Sequence, residues 1–220
     1  MELSPVEGRV VGSLAEKQLT TPQQYPLTLN ALVLACNQTS NRDPVVSYDE
    51  ATVQEALSSL KDGGLLRFVH PSHGRSVIRY RQVADEVFGL DDRSLSIIGV
   101  LLLRGPQTVG ELRARTERMA SFDNLREVES ELERLSDRSD PLVRRLARQP
   151  GRKEERWAQL LTGEPSEPVA VDEAAYHGSA LSPVARNDEV EALRSEVGLL
   201  RQEITALKAE IGELRSALGD

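Results

Sequence analysis

Residues 47–81 read SYDEATVQEALSSLKDGGLLRFVHPSHGRSVIRYR, and this stretch decides the fold. Ser47-Tyr48-Asp49-Glu50 has the form of a capping box, a hydroxyl at the cap and a carboxylate three residues on, and it predicts a helix start. Val53, Leu57 and Leu60 share one face of that helix, and Gly63-Gly64 ends it as glycine beyond a C-cap does. Two β-prone runs follow, 65–69 and 77–81. Pro71-Ser72-His73-Gly74 joins them, which predicts a hairpin.

Upstream, Ser4-Pro5-Val6-Glu7 is another capping box with Pro at the first helical position. Val6, Val10, Val11 and Leu14 follow at helical spacing, and a polar connection through Thr20, Thr21 and Pro22 leads to a second helix at 27–36. Three helices and then a two-stranded hairpin is the order of a winged helix. The order recurs. Leu95, Ile98 and Leu102 lie on a helix that stops at Gly105-Pro106. Thr108-Val109-Gly110-Glu111 opens a short one, and Asp123 can cap a third that carries Leu125, Val128, Leu132 and Leu135 before Asp140-Pro141. Residues 142–148 and 155–161 form a second hairpin with Pro150-Gly151 near its tip. The expected fold is mainly α with small β-hairpins: two tandem winged-helix domains, 1–81 and 93–161. Residues 82–92 link them, partly buried through Val87, Phe88 and Leu90.

Beyond 161 the texture changes. Residues 162–186 scatter Pro165, Pro168, Pro183, Gly163 and Gly178 among Ser, Ala and acids, the composition of a flexible linker with a span of roughly 25–30 Å. Residues 187–220 then carry an unbroken heptad. Position a is Val190, Val197, Ile204, Ile211 and Leu218; position d is Leu193, Leu200, Leu207 and Leu214. β-Branched a residues with Leu at d favour two parallel strands. Glu189, Glu196, Glu203 and Glu210 at g face Arg194, Arg201, Lys208 and Arg215 at e only in a parallel pair. A helix docked on the body would need a wider apolar stripe. The expected C-terminal element is a parallel, homodimeric coiled coil.

Composition narrows the classes. Aromatics make up 4% and charged residues 28%, so the cores are small and aliphatic. The net charge of −8 is uneven: the stretch between residues 93 and 161 is basic, while the first ninety-odd residues and the tail are acidic. Cys36 is the only cysteine, which excludes an internal disulfide and a multi-cysteine zinc site. No basic-then-apolar leader opens the chain, and the apolar run 97–103 is far short of the roughly 20 residues that span a membrane. A cytoplasmic protein with no membrane partner is expected.

Several words carry a resemblance. Glu16-Lys17, Thr20-Thr21-Pro22, Tyr25-Pro26-Leu27-Thr28-Leu29-Asn30, Ala35-Cys36-Asn37-Gln38 and Ser40-Asn41-Arg42-Asp43-Pro44-Val45 stand in the first unit. Leu103-Arg104-Gly105-Pro106-Gln107-Thr108 and Gly110-Glu111-Leu112-Arg113 stand in the second. Together, over about residues 2–161, they resemble the YceH-like family of bacterial proteins. The resemblance implies a tandem winged-helix body in a bacterial cytosolic protein and implies no biochemical activity.

For chemistry there is little. No phosphate-binding glycine loop or nucleophile elbow is present. His70 and His73 flank a hairpin tip with no thiol nearby, which reads as a solvated turn. Cys36 falls on an apolar helix face as a small hydrophobe. No catalytic residue, metal or cofactor is expected. The polar run 17–42 has two accounts. One is caps and buried hydrogen bonds between helices; the other is a contact patch of Lys17, Tyr25, Asn37, Gln38 and Arg42.

Winged helices most often meet DNA through their third helix, but here those helices are acidic. Glu127, Glu129, Glu131 and Glu133 outnumber Arg126 and Arg134, and Glu50, Glu55 and Asp62 outnumber Lys61. The basic residues are Arg144, Arg145, Arg148, Arg152, Lys153 and Arg156 on the second hairpin, with Arg113, Arg115 and Arg118 on the helix before. Such a wing grips phosphates with little sequence reading, or is a solvated edge hairpin whose charges prevent strand addition. Strand parity decides between these for neither Arg144 nor Arg145. Fold analogy puts a dimeric, non-enzymatic, transcription-regulator-like binder of double-stranded DNA first. The alternative is an adaptor that docks another protein and binds no DNA, which the acidic third helices favour.

Overall fold

The structure is a computed structural model and describes residues 2–70, 77–148 and 154–164. The coiled-coil positions, nearly all of the expected linker 162–186, both hairpin tips, Arg152 and Lys153 lie outside the described residues. Residues 1–165 group as one compact unit.

The chain forms α1 (Pro5–Thr20), a single 3₁₀ turn, β1 (Leu27–Thr28), α2 (Leu29–Cys36), α3 (Glu50–Asp62), β2 (Leu66–Val69) and β3 (Arg79–Gln82). It continues with α4 (Ala84–Phe88), α5 (Asp92–Arg104), α6 (Val109–Thr116), α7 (Leu125–Ser136), β4 (Val143–Leu146) and β5 (Arg156–Gln159). The described part is therefore mainly helical with two small antiparallel sheets. Among the described residues no helix is long and apolar enough to cross a membrane.

The capping boxes of Ser4–Glu7 and Thr108–Glu111 form with both reciprocal hydrogen bonds. Two other starts move. The cap of α3 is Asp49, which accepts from the Thr52 N–H at 2.8 Å, and not Ser47. The cause lies eleven residues upstream. Asn37 donates to the Tyr48 carbonyl and accepts from the Tyr48 N–H, both at 2.8 Å, so Tyr48 is held outside the helix. The cap of α7 is Asn124 in place of Asp123. Arg113 holds the preceding turn by donating to the carbonyls of Phe122 and Asp123, and the Asp123 N–H donates to Glu127. The second helix opens at Leu29, with Thr28 as its cap.

Leu27-Thr28 instead forms a two-residue strand. It pairs with β3 at Tyr80 and Arg79, giving a sheet of order β1-β3-β2. The second half does the same in miniature. Gln107, just before α6, exchanges both backbone hydrogen bonds with Trp157 of β5, at 3.0 and 2.7 Å. The segment between the halves is also structured: α4 ends on Gly89 at φ 60°, a left-handed C-cap that suits glycine.

Helices α1 and α5 form the centre. Eight consecutive residues of α1, Gly8 to Ala15, are buried, as are Ser94 to Leu101 of α5, so neither helix has a solvent face over its middle. Small residues allow their close approach. A Cβ added at Gly12 would lie 3.0 Å from Leu102 Cβ and from Leu103 Cγ, and one at Gly99 would rest 3.7 Å from Ala15 Cβ. The N-terminus closes on the other end of the unit, where Leu3 N–H donates to the Leu161 carbonyl at 2.7 Å.

Gly12→Val forces this contact apart and is expected to lower stability by about 1–3 kcal/mol, read as a reduced urea midpoint with an unchanged slope. Gly110→Ala, where an added Cβ meets only Thr108 Oγ1 at 4.0 Å, should leave the midpoint unchanged or raise it.

Candidate nucleic-acid interface

The second hairpin pairs Arg144 with Ala158, Arg145 with Trp157 and Leu146 with Arg156. Leu142 and Val143 are buried, while Arg144, Arg145 and Arg148 are exposed. Each wing cation with a partner has an acidic one. Arg144 pairs with Glu164. Arg145 reaches Glu155 at 3.3 Å and stacks over the Trp157 ring with its guanidinium 5.0 Å from the centroid. Arg156 donates to the Pro106 carbonyl at 2.7 Å and lies 3.5 Å from Glu111.

Helix α6 contributes differently. Arg113 is engaged with backbone carbonyls, and Arg115 pairs with Glu111 at 3.3 Å. Burial would push the Glu111 carboxyl up, but the Thr108 N–H, Arg156 and Arg115 outweigh it and hold the group below its ordinary value. Among the described residues, neither Arg118 nor Arg148 has an ion-pair partner.

On α7, Glu129 and Glu133 are exposed. Glu127 pairs with Arg93 at 3.1 Å, and Glu131 is bonded by Arg134 and by Ser94. Between the end of α7 and the hairpin lies an open groove of about 520 Å³. Glu133 and Asp137 line one part of it, Arg144 and Arg145 another, with the buried Trp157 beneath Arg145. Its walls carry both signs.

Within the polar run of the first half, Arg42 turns inward. Arg42 is only 5% exposed. Its guanidinium donates to both carboxylate oxygens of Glu16 at 2.7 and 3.2 Å, to the Ala35 carbonyl, to the Asn41 carbonyl and to Gln38 Oε1. Tyr25 is half-buried, and its hydroxyl oxygen accepts from the Gln82 N–H at 2.8 Å; burial pushes the phenol pKa up. Asn37 is taken up by Tyr48, and Lys17 lies 3.5 Å from Glu16. Of the five residues named for a contact patch, Arg42 is thus buried, while Lys17, Tyr25, Asn37 and Gln38 are partly exposed and each has a partner within the chain. Cys36 is fully buried, and burial pushes its thiol up, away from the thiolate that reactivity needs.

One feature had no signal in the sequence. A cleft of about 190 Å³ opens between the end of α1 and the α5–α6 corner. Thr20, Asn41, Arg104, Arg115, Arg118 and Met119 line it, with Glu16 and Glu117 as its acids. These residues come from four separated segments, so no spacing rule links them.

Burial would raise the Glu16 carboxyl, but the Arg42 fork and Lys17 overcome it and hold it below the usual carboxylate value. That stabilisation is present above the unfolded value, about pH 4.3, and is lost as pH falls through the folded one. Arg42→Met leaves Glu16 buried without its fork and should cost about 3–5 kcal/mol near neutral pH. Without the fork, burial pushes the Glu16 carboxyl above its ordinary value, so the deficit should begin to shrink while the pH is still above about 4.5 and go on shrinking as it falls, which urea unfolding at a series of pH values measures.

Comparison with known proteins agrees with the resemblance of residues 2–161. A UPF0502 protein of Geobacter sulfurreducens is 48% identical over 195 residues, 89% of this chain and 88% of its own length. Those of Geotalea daltonii and Citrobacter koseri are 50% and 46% identical, covering 88% and 89% of this chain and 88% and 91% of their own lengths. Residues 3–152 match the family described as "Protein of unknown function, DUF480", and the chain belongs to that bacterial family.

Proposed function

We infer that the chain is a non-enzymatic, homodimeric cytoplasmic protein whose two tandem winged-helix halves dock another protein. The observation that carries this is the charge arrangement around the second hairpin. Exposed Glu129 and Glu133 stand on α7, and Arg144, Arg145 and Arg156 each have a carboxylate beside them. A duplex presents one sign of charge along its whole length and rewards a surface of the other sign. A groove with both signs and an aromatic floor suits a polypeptide, which also carries both. The winged-helix reading is supported by the order of elements in both halves and by a short segment before the second helix that pairs with the last strand in each. The dimer rests on the heptads of residues 187–220.

DNA gripped by the second wing is the other reading. Exposed Arg118 and Arg148, for which the described residues offer no acidic partner, favour it. Fluorescence anisotropy with mixed-sequence duplex at roughly 50 and 200 mM salt separates the two. The docking reading expects no binding at the lower salt. Tight binding abolished both by salt and by the combined change of Arg144, Arg145 and Arg148 to Ala would overturn it in favour of the wing.

The dimer has its own test. Leu200→Lys with Leu207→Lys should halve the mass seen by sedimentation equilibrium while leaving the thermal transition of the body in place. An unchanged mass would remove the coiled coil from the account.

A further inference from the structure

We propose that the cleft at the α5–α6 corner is a binding site for a small phosphate monoester, held by Arg104, Arg115 and Arg118 with Asn41 at its edge. Such a site does not depend on whether the halves dock protein or DNA.

The charges in the cleft do not balance among themselves. Glu16 lines it but is already engaged by both arms of the Arg42 fork and by Lys17. Glu111 takes Arg115 at 3.3 Å but is shared with Arg156 at 3.5 Å. Arg104 is hydrogen-bonded to a neutral partner, Asn41 Oδ1 at 2.8 Å, with the carboxylates of Asp43 and Glu111 acting on it at longer range. Arg118 has no acidic partner among the described residues, which leaves Glu117 as the remaining carboxylate of the lining. Burial and the neighbouring Arg115 both work against the charge on Arg104, so the two guanidinium groups face one cleft at a cost that an anion relieves.

Asn41 adds a sign of construction. It sits at φ 58°, in the left-handed region, with its carbonyl accepting from Arg42 and its side chain aimed at Arg104. The buried Arg42 clamp therefore fixes one wall of the cleft.

Chemistry and shape select the ligand class. Guanidinium forks from two helices match a group with three terminal oxygens and a double negative charge. A recess of about 190 Å³ takes a phosphoryl group and a short carbon chain, the latter against Val100, Leu103 and Met119. A terminal phosphate can project into such a corner. A phosphodiester, whose chain continues on both sides, cannot follow it in.

The test is calorimetric titration of the full-length protein with inorganic phosphate and with glycerol 3-phosphate, with succinate as the carboxylate control. One saturable site per chain is expected for the two phosphates, with Kd of about 1 mM or tighter and weaker binding of succinate. Arg118→Glu, an exposed change that does not threaten folding, and Arg104→Gln should each weaken it at least tenfold. Absence of saturation up to about 10 mM phosphate, equal affinity for succinate, or affinity unchanged in Arg118→Glu would each overturn the proposal. So would displacement of bound phosphate by duplex DNA, which would make the cleft a backbone contact.

Discussion

The close contact between α1 and α5 is the constraint on which the body depends. Glycines at 12 and 99 and Ala15 bring two buried helices together, one from each half. Either half alone would expose an apolar helix face to water, and burial of such area is the main favourable term in folding. The contact also fixes what lies beside it. Asp43 N–H donates to the Leu103 carbonyl at 2.9 Å, so the loop after α2 is tied to α5. Asn41 and Arg104 meet because of that tie.

Around this centre the polar residues of the first half act as wiring. The cost of burying the Arg42 guanidinium is offset by five acceptors that take up its donors. A second network runs through Gln82, whose side chain donates to Gln18 and accepts from the Ala84 N–H, while Gln18 donates to Asp85. Its backbone N–H donates to Tyr25. Helix α1, α4 and the β3 edge are thereby locked to one another, and α4 is held as an ordered part of the unit.

What the sequence revealed was what local physics decides. Capping boxes at Ser4 and Thr108, the stop at Gly63-Gly64 and the 3–4 spacing on α7 depend on neighbours within a turn or two. The features missed have distant causes. A two-residue strand at Leu27-Thr28 and a one-residue bridge at Gln107 are too short to show periodicity, and only the edge strand opposite creates them. The start of α3 depends on Asn37, which holds Tyr48 from eleven residues away. Side-chain parity left Arg144 and Arg145 undecided because their surroundings are set by Glu164, Glu155 and Trp157 from across the fold. The cleft needed four segments to be in place before it existed at all.

The arginine content of the second half therefore has to be read by neighbourhood rather than by total. A basic count suggests phosphate binding only where the cations are not already balanced, since an ion pair must be broken before its cation can neutralise a phosphate. Among the described residues of the hairpin, Arg144, Arg145 and Arg156 each have a carboxylate beside them, and Arg148 has none. In the cleft Glu16 is committed to Arg42 and Glu111 is shared between Arg115 and Arg156, so Arg104 and Arg118 are left without an ion-pair partner among the described residues. Charge of that kind acts at short range and on a single group. It favours recognition of one small anion over the long, salt-sensitive attraction that draws a protein onto a duplex.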